Sequence, residues 1–267
     1  MNKAEIRATI PSLLWLICFI FIPTCIVFLI AFKPATSTGG IAAGWSLDAI
    51  KDLQNPQYPA IIWRTLWISA CTTAACLLIS LPVAWTMARV SEKWKNRLLL
   101  LVVVPFWTNF LIRVFAWKQI LHSEGLLASA LKKIHLLDPS DMLLYNPGAV
   151  ILVSIYTFLP FAILPIYAAA EKFDYTLLDA ARDLGANAFR AVVSVFLPGI
   201  RKGLITAFIV VFIPMLGSYV VPDMVGGTGT QMLGNKIAQR NFNDRNLPEA
   251  AALSGALTLL VLAPLFL

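Results

Sequence analysis

Three groups of residues in this sequence are of types that do chemistry, and each lacks the companions its chemistry needs. Gly226-Gly227-Thr228-Gly229 has the glycine density of a loop that wraps backbone amides around a phosphate. Such a loop takes the form G-x4-G-K-[ST], and no Lys-Ser or Lys-Thr follows here, so the stretch offers no seat for ATP hydrolysis and reads as a flexible loop or a contact for a soluble protein. His122-Ser123-Glu124 has the H-x-E order of a zinc deaminase but no downstream Cys-x-x-Cys, and His135, in the same stretch, has no metal-ligand spacing. Cys18, Cys25, Cys71 and Cys76 lie inside apolar runs without a Cys-x-x-Cys or a His companion, so they read as small apolar residues. The residues therefore point to no catalytic group, no metal and no cofactor.

The elements around these residues explain why. Of the 267 residues, 59% are hydrophobic and 13% charged, against about 25% charged in a soluble domain. Apolar runs of about 20 residues, the length that crosses a hydrocarbon core of roughly 30 Å, are expected at about 10–32, 65–88, 98–117, 149–170, 203–221 and 249–267. This pattern predicts an all-α, multi-pass membrane protein of about six transmembrane helices forming a single domain over 1–267. The first run follows Lys3 and Arg7 but is longer than a signal peptide's apolar region of about 7 to 15 residues, so it reads as a retained span. The last run is still apolar at Leu267. The net charge of +7 comes from basic residues dispersed between apolar segments, which argues against a nucleic-acid partner.

Basic residues are densest in the short segments that hold Lys3 and Arg7, then Arg89, Lys93, Lys95 and Arg97, then Lys172, Arg182, Arg190, Arg201 and Lys202. The alternate segments carry nearly as many, spread over longer stretches. Density places the N-terminus on the cytoplasmic side. A proton- or sodium-driven transporter would need ionisable residues near the bilayer centre, which these spans scarcely supply. A membrane-embedded enzyme would need a convergent catalytic pair, and none is visible.

The segment of about 171–202 reads as structured. Asp174 suits an N-cap, Gly185 stands where a left-handed residue would end the helix, and the stretch between them is too short to cross a membrane. At 100° per residue, Leu177, Leu178, Ala181 and Leu184 share one face, with Thr176, Asp179, Arg182 and Asp183 opposite. That apolar stripe needs a partner: the rest of the chain, the lipid headgroup layer, or a groove on another subunit.

Asp179-Ala180-Ala181, three residues, Gly185, nine residues, Val195, one residue and Leu197-Pro198 resemble the EAA loop of ABC importer permeases, EAA-x3-G-x9-I-x-L-P. Asp179 for Glu and Val195 for Ile are the departures. The resemblance implies the type I importer permease (MetI-like) fold. It also implies a coupling helix seated in a groove of a separate cytoplasmic ATPase, with Leu177, Leu178, Asp179, Ala180, Ala181, Leu184, Gly185, Leu197 and Pro198 at or beside that contact. Partners implied are an ATPase dimer, a second permease subunit and an external binding protein, for which the glycine-rich loop is a candidate contact. The expected location is the bacterial inner membrane.

Further stretches, Val104-Pro105-Phe106-Trp107-Thr108-Asn109, Leu159-Pro160-Phe161, Leu164-Pro165-Ile166-Tyr167 and Val221-Pro222-Asp223-Met224-Val225-Gly226-Gly227, resemble the spermidine/putrescine class of these permeases. That resemblance implies a polycation as cargo, and aromatic faces with few carboxylates as its pathway. Trp107, Asn109, Tyr156, Tyr219 and Asp223 are the candidates. On one continuous helix Phe106, Asn109, Phe110, Arg113 and Trp117 would share a narrow face, and Pro105, Pro160 and Pro165 are expected to kink their helices. Arg113 opposes the polycation reading, since a cation facing the pathway suits an anion, unless it snorkels to water near the end of its span.

Overall fold

The computed structural model describes residues 3–36, 39–134, 138 and 141–262; His135 and the last five residues of the sixth expected span lie outside them. In chain order the described residues form α1 (Lys3–Leu16), α2 (Ile22–Ile30), α3 (Asp48–Asp52), α4 (Gln57–Arg89), α5 (Glu92–Val103), α6 (Phe110–Leu121) and α7 (Leu126–Lys133). There follow α8 (Pro147–Glu171), α9 (Thr176–Asp183), α10 (Ala188–Ala191), α11 (Leu197–Gly199), α12 (Arg201–Leu216), α13 (Val220–Val225), α14 (Leu233–Ala238) and α15 (Leu247–Leu262).

Three stretches, Thr9–Ile30, Gln57–Arg89 and Pro147–Glu171, are long and apolar enough to cross a membrane as they stand. Two more are broken pairs: Glu92–Trp107 with Phe110–Lys133, bent by 92°, and Ala188–Gly199 with Arg201–Leu216, bent by 71°. The third expected span is thus not one straight helix. Pro105 lies in a tight 3-10 turn over Val104–Trp107, where the Thr108 hydroxyl donates to the Pro105 carbonyl at 2.6 Å. Asn109 then caps α6 by accepting from the Leu111 N–H at 2.8 Å. Phe106 and Asn109 precede the new helix, so the single face drawn through them and Trp117 does not exist. α8, by contrast, continues as one element through Pro160 and Pro165.

The described chain forms two compact units. Residues 64–231 make the larger one, whose axis is the pairing of α8 with α12. Ala162, Ile163, Ile166 and Ala170 of α8 meet Ala207 and Val211 of α12 in one buried cluster. The helices approach closely at Gly203, where an added Cβ would stand 2.5 Å from the Ala169 Cβ and 2.7 Å from the Pro165 carbonyl oxygen. In lipid, where no hydrophobic force drives helices together, small residues permit this approach and dispersion rewards it. The first half of the glycine-rich loop is closely packed, while Thr228 and Gly229 are exposed. Gly226 is buried, its missing side chain leaving room for the Thr230 hydroxyl and the Pro222 carbonyl, and Thr230 closes the turn by donating to the Gly227 carbonyl at 2.7 Å.

In the smaller unit, residues 1–63 and 232–267, α15 packs on α2, α3 and α14. Its first turn carries Glu249, almost fully buried. One carboxylate oxygen accepts from the Tyr58 hydroxyl and lies 3.0 Å from Arg240 Nε; the other accepts from Asn246 Nδ2 at 2.9 Å. Arg240 Nε is off the hydrogen-bond line, so that contact is ionic. A buried carboxylate is tolerated when its charge and lone pairs are met in this way.

Replacing Gly203 with Val should separate α8 from α12 at a cost of about 1–3 kcal/mol. Thermal unfolding of the detergent-purified protein should show a lower midpoint, whereas Gly229→Ala, at a site where an added Cβ meets nothing within 4 Å, should leave the midpoint unchanged.

Candidate functional site

The segment between α8 and α12 is built as a closed excursion. Lys95, near the start of α5, anchors its beginning through an ion pair with Glu171 at 2.8 Å, the last residue of α8. The Asp174 carboxylate accepts from the Thr176 hydroxyl at 2.7 Å and the Thr176 N–H at 3.0 Å. Those two bonds hold its pKa below the ordinary carboxylate range. Because the folded form favours the charged state, this turn's contribution is in place at neutral pH and is lost only as pH falls through that depressed value.

α9 ends in a Schellman motif. The Gly185 N–H donates to the Arg182 carbonyl at 2.9 Å and the Ala186 N–H to the Ala181 carbonyl at 3.0 Å, with Gly185 at φ +88°. An added Cβ at Gly185 would meet nothing within 4 Å, so glycine is needed there for its backbone conformation and not for space. Asn187 starts the next turn by accepting from the Arg190 N–H at 2.8 Å. A wider π-helical turn over Val192–Phe196 then leads into α11.

Four rings fasten this excursion to the chain. Trp85, near the end of α4, packs edge-on to Phe196 at 4.6 Å and to Tyr175 at 5.6 Å, and Phe173 packs edge-on to Tyr175 at 5.3 Å and to Phe196 at 5.2 Å. Edge-to-face pairs at these separations are the favoured aromatic geometry. Arg89 covers the Trp85 and Tyr175 rings at 5.1 and 5.4 Å. Burial pushes the Tyr175 phenol above its usual range, and the charge of Arg89 opposes that rise. Gly199 leaves the space that the Phe173 ring occupies. Sequence reasoning missed this cluster: three of its rings lie within the segment, but nothing local ties them to Trp85.

The expected four-residue apolar face is divided. Leu178 is buried and Ala181 packs beside it in the chain's own core, while Leu177 is 50% and Leu184 90% exposed. The reason is angular: Leu178 and Ala181 lie on one edge of the stripe and Leu177 and Leu184 on the other, and the chain covers only the first edge. Phe189, in α10, is likewise 79% exposed. Ala180 is exposed, as is Asp179, which pairs loosely with Arg182 at 3.8 Å; such a surface pair contributes little. Leu197 packs against the buried core and borders an apolar groove of about 370 Å³, shared with Leu81, Pro82, Trp85, Phe189 and Val193. Pro198 is exposed beside it.

The five expected pathway residues have separate surroundings. Trp107 is 77% exposed. Asn109 is engaged as the α6 cap. Tyr156 packs edge-on to Trp117 at 5.4 Å. Tyr219 and Asp223, both exposed, sit at the start of α13, which packs on α6 and α8. Arg113 lies 5.0 Å from the Phe106 ring and 6.0 Å from the Phe110 ring, and Phe106 in turn packs edge-on to Phe161 at 5.0 Å.

Residues 76–267 match the family described as the binding-protein-dependent transport system inner membrane component. The chain belongs to this family. It is a transport subunit and a multi-pass protein of the inner membrane. It is 38% identical over 252 residues to the spermidine/putrescine transport system permease protein PotB of Haemophilus influenzae, spanning 94% of this chain and 88% of that protein. To the PotB protein of Escherichia coli K12 it is 33% identical over 247 residues, spanning 92% of this chain and 90% of that one. Among solved structures, a bacterial ABC transporter involved in the import of the acidic polysaccharide alginate matches with a TM-score of 0.72 over 97% of this chain and 91% of that one, at 17% identity. At that identity the match speaks for the shared permease fold.

Gly185→Ala should cost about 1 kcal/mol of conformational free energy with no steric clash. Hydrogen exchange in α9 should accelerate about fivefold, and Gly185→Asn, which tolerates a positive φ, should show a smaller change.

Proposed function

We propose that this chain is the permease subunit of an ATP-driven importer of polyamines, with 1–267 forming one transmembrane domain of six spans and a cytoplasmic N-terminus. The similarity to spermidine/putrescine permeases over more than nine-tenths of the chain carries this reading. A cytoplasmic ATPase dimer supplies the energy, a second permease subunit completes the pathway, and an external binding protein delivers the cargo.

In this reading 171–202 is the coupling loop. Leu177, Asp179, Ala180, Leu184 and Phe189 face the ATPase, Gly185 sets the end of the helix, and Leu178, Ala181 and Leu197 brace the loop against the permease. Pro198, in α11, closes the motif ahead of α12. Closure of the ATPases moves the loop, and the broken spans open the cavity alternately to each side. Trp107, Asn109, Tyr156, Tyr219 and Asp223 are the proposed pathway residues. A second reading, import of a small anion, draws on Arg113, a cation with no ion-pair partner among the described residues.

Vesicles holding this chain with its neighbouring transporter subunits should accumulate labelled spermidine or putrescine only with ATP; ATP-dependent uptake of an anion and of neither polyamine would reverse the choice of cargo. Leu184→Asp combined with Phe189→Asp should cut ATP-dependent uptake by about tenfold or more at normal membrane levels, because both side chains are exposed here and buried only against a partner. Unchanged uptake in that variant would remove the loop from the coupling role.

A further inference from the structure

The elbow at Trp107–Phe110 holds a cation between two rings. Arg113 is partly buried, and its Nε is shut off from solvent with no hydrogen-bond partner among the described residues. None of the ion pairs between described residues includes it. Its guanidinium is met by two ring faces instead: Phe106 before the break and Phe110 after it. The rings continue on either side, Phe106 against Phe161 of α8 and, one turn along α6 from Arg113, Trp117 against Tyr156. A strip of aromatic faces therefore follows the contact of α6 with α8, and the one charge on it is this arginine.

A ring face attracts any cation, whether guanidinium or alkylammonium, through its quadrupole. A carboxylate would hold Arg113 far more firmly; two rings and an unsatisfied N–H hold it weakly enough to be exchanged. We propose that Phe106 and Phe110 form a seat for an alkylammonium group of the cargo, and that the Arg113 guanidinium occupies this seat until the cargo displaces it. The inference rests on the polyamine reading and turns its main objection around. Arg113 does not mark an anion pathway; it is a tethered competitor that keeps the cation seat filled between transport events. Filling the seat also bridges the two arms of the bent span, so displacement frees the elbow to move.

The test uses vesicles with the whole transporter assembled, labelled spermidine as cargo and n-butylammonium as a single-charge competitor. Arg113→Met removes the competitor and keeps the bulk. It should lower the half-saturation concentration of spermidine and the inhibitory concentration of n-butylammonium by about three- to tenfold, while Arg113→Lys stays within about twofold of the parent. Phe106→Leu and Phe110→Leu dismantle the seat from the ring side and should raise both concentrations, which keeps the test decisive if Arg113→Met does not reach the membrane. Loss of maximal rate in the arginine variants with both concentrations unchanged would make Arg113 an elbow anchor only and overturn the proposal. Failure of the parent complex to take up any polyamine is a separate result, which overturns the cargo assignment and this inference with it.

Discussion

The close approach of α8 and α12 at Gly203 is the contact on which the larger unit depends. With Pro165 and Ala169 within van der Waals reach of that glycine, the last residue of α8 and the first of α12 are held near one another, and residues 172–200 between them must leave and return at one place. Such a segment has no free end. It can be placed only by packing against what lies beside the seam, and the Trp85, Phe173, Tyr175 and Phe196 rings do this. A larger residue at Gly203 would therefore act at a distance, since the loop's position is set by a helix contact it does not itself make.

Charges in this protein follow the same economy. Glu249, buried in the smaller unit, is satisfied by Tyr58, Arg240 and Asn246, an arrangement that ties the start of α4 to the stretch 240–249. Lys95 binds Glu92 and Glu171 at 2.9 and 2.8 Å. Arg113, like Arg89, is balanced by ring faces, but its Nε is also left without a hydrogen-bond partner among the described residues, and the contrast with the ion pairs is physical. An ion pair with hydrogen bonds is expensive to break in a low dielectric, whereas a cation over an aromatic face can be exchanged for another cation. The first kind of contact suits a fixed frame and the second suits a moving part.

How much of this was legible in the sequence follows from which terms are local. Hydropathy located the stretches that form the three long apolar helices and the two bent pairs, because transfer into lipid is a property of composition. The left-handed Gly185 was legible, and so was a role for Asp174 at the entry to α9, although it closes a turn onto Thr176 one residue ahead of the cap position at Tyr175; both are decided within a few residues. The break of the third span was not: Pro105 and Asn109 occur in continuous helices as well as at their ends, and the choice depends on how α6 packs. Nor was the division of the stripe in α9, since Leu177 and Leu178 differ only in which edge the neighbouring core covers. The Tyr58–Glu249 bond joins residues 191 positions apart, and the packed half of the glycine-rich loop looked flexible because glycine serves tight packing as readily as mobility.

The division of that stripe gives α9 its mechanical character. A helix of eight residues is too short to be stable by itself, and one covered on every apolar edge would have nothing to offer a partner. Here Leu178 and Ala181, with the aromatic cluster behind them, fix the helix to the permease, and Leu177, Leu184 and Phe189 are left outside. In the proposed coupling role both halves are required. A firmly seated helix passes a displacement on to α4, α8 and α12, while exposed apolar side chains let a partner grip it without first unfolding it. Loosening the inner half would leave binding of the partner intact and spend its motion locally, so the inner residues, which touch no partner, set how much of the stroke reaches the spans.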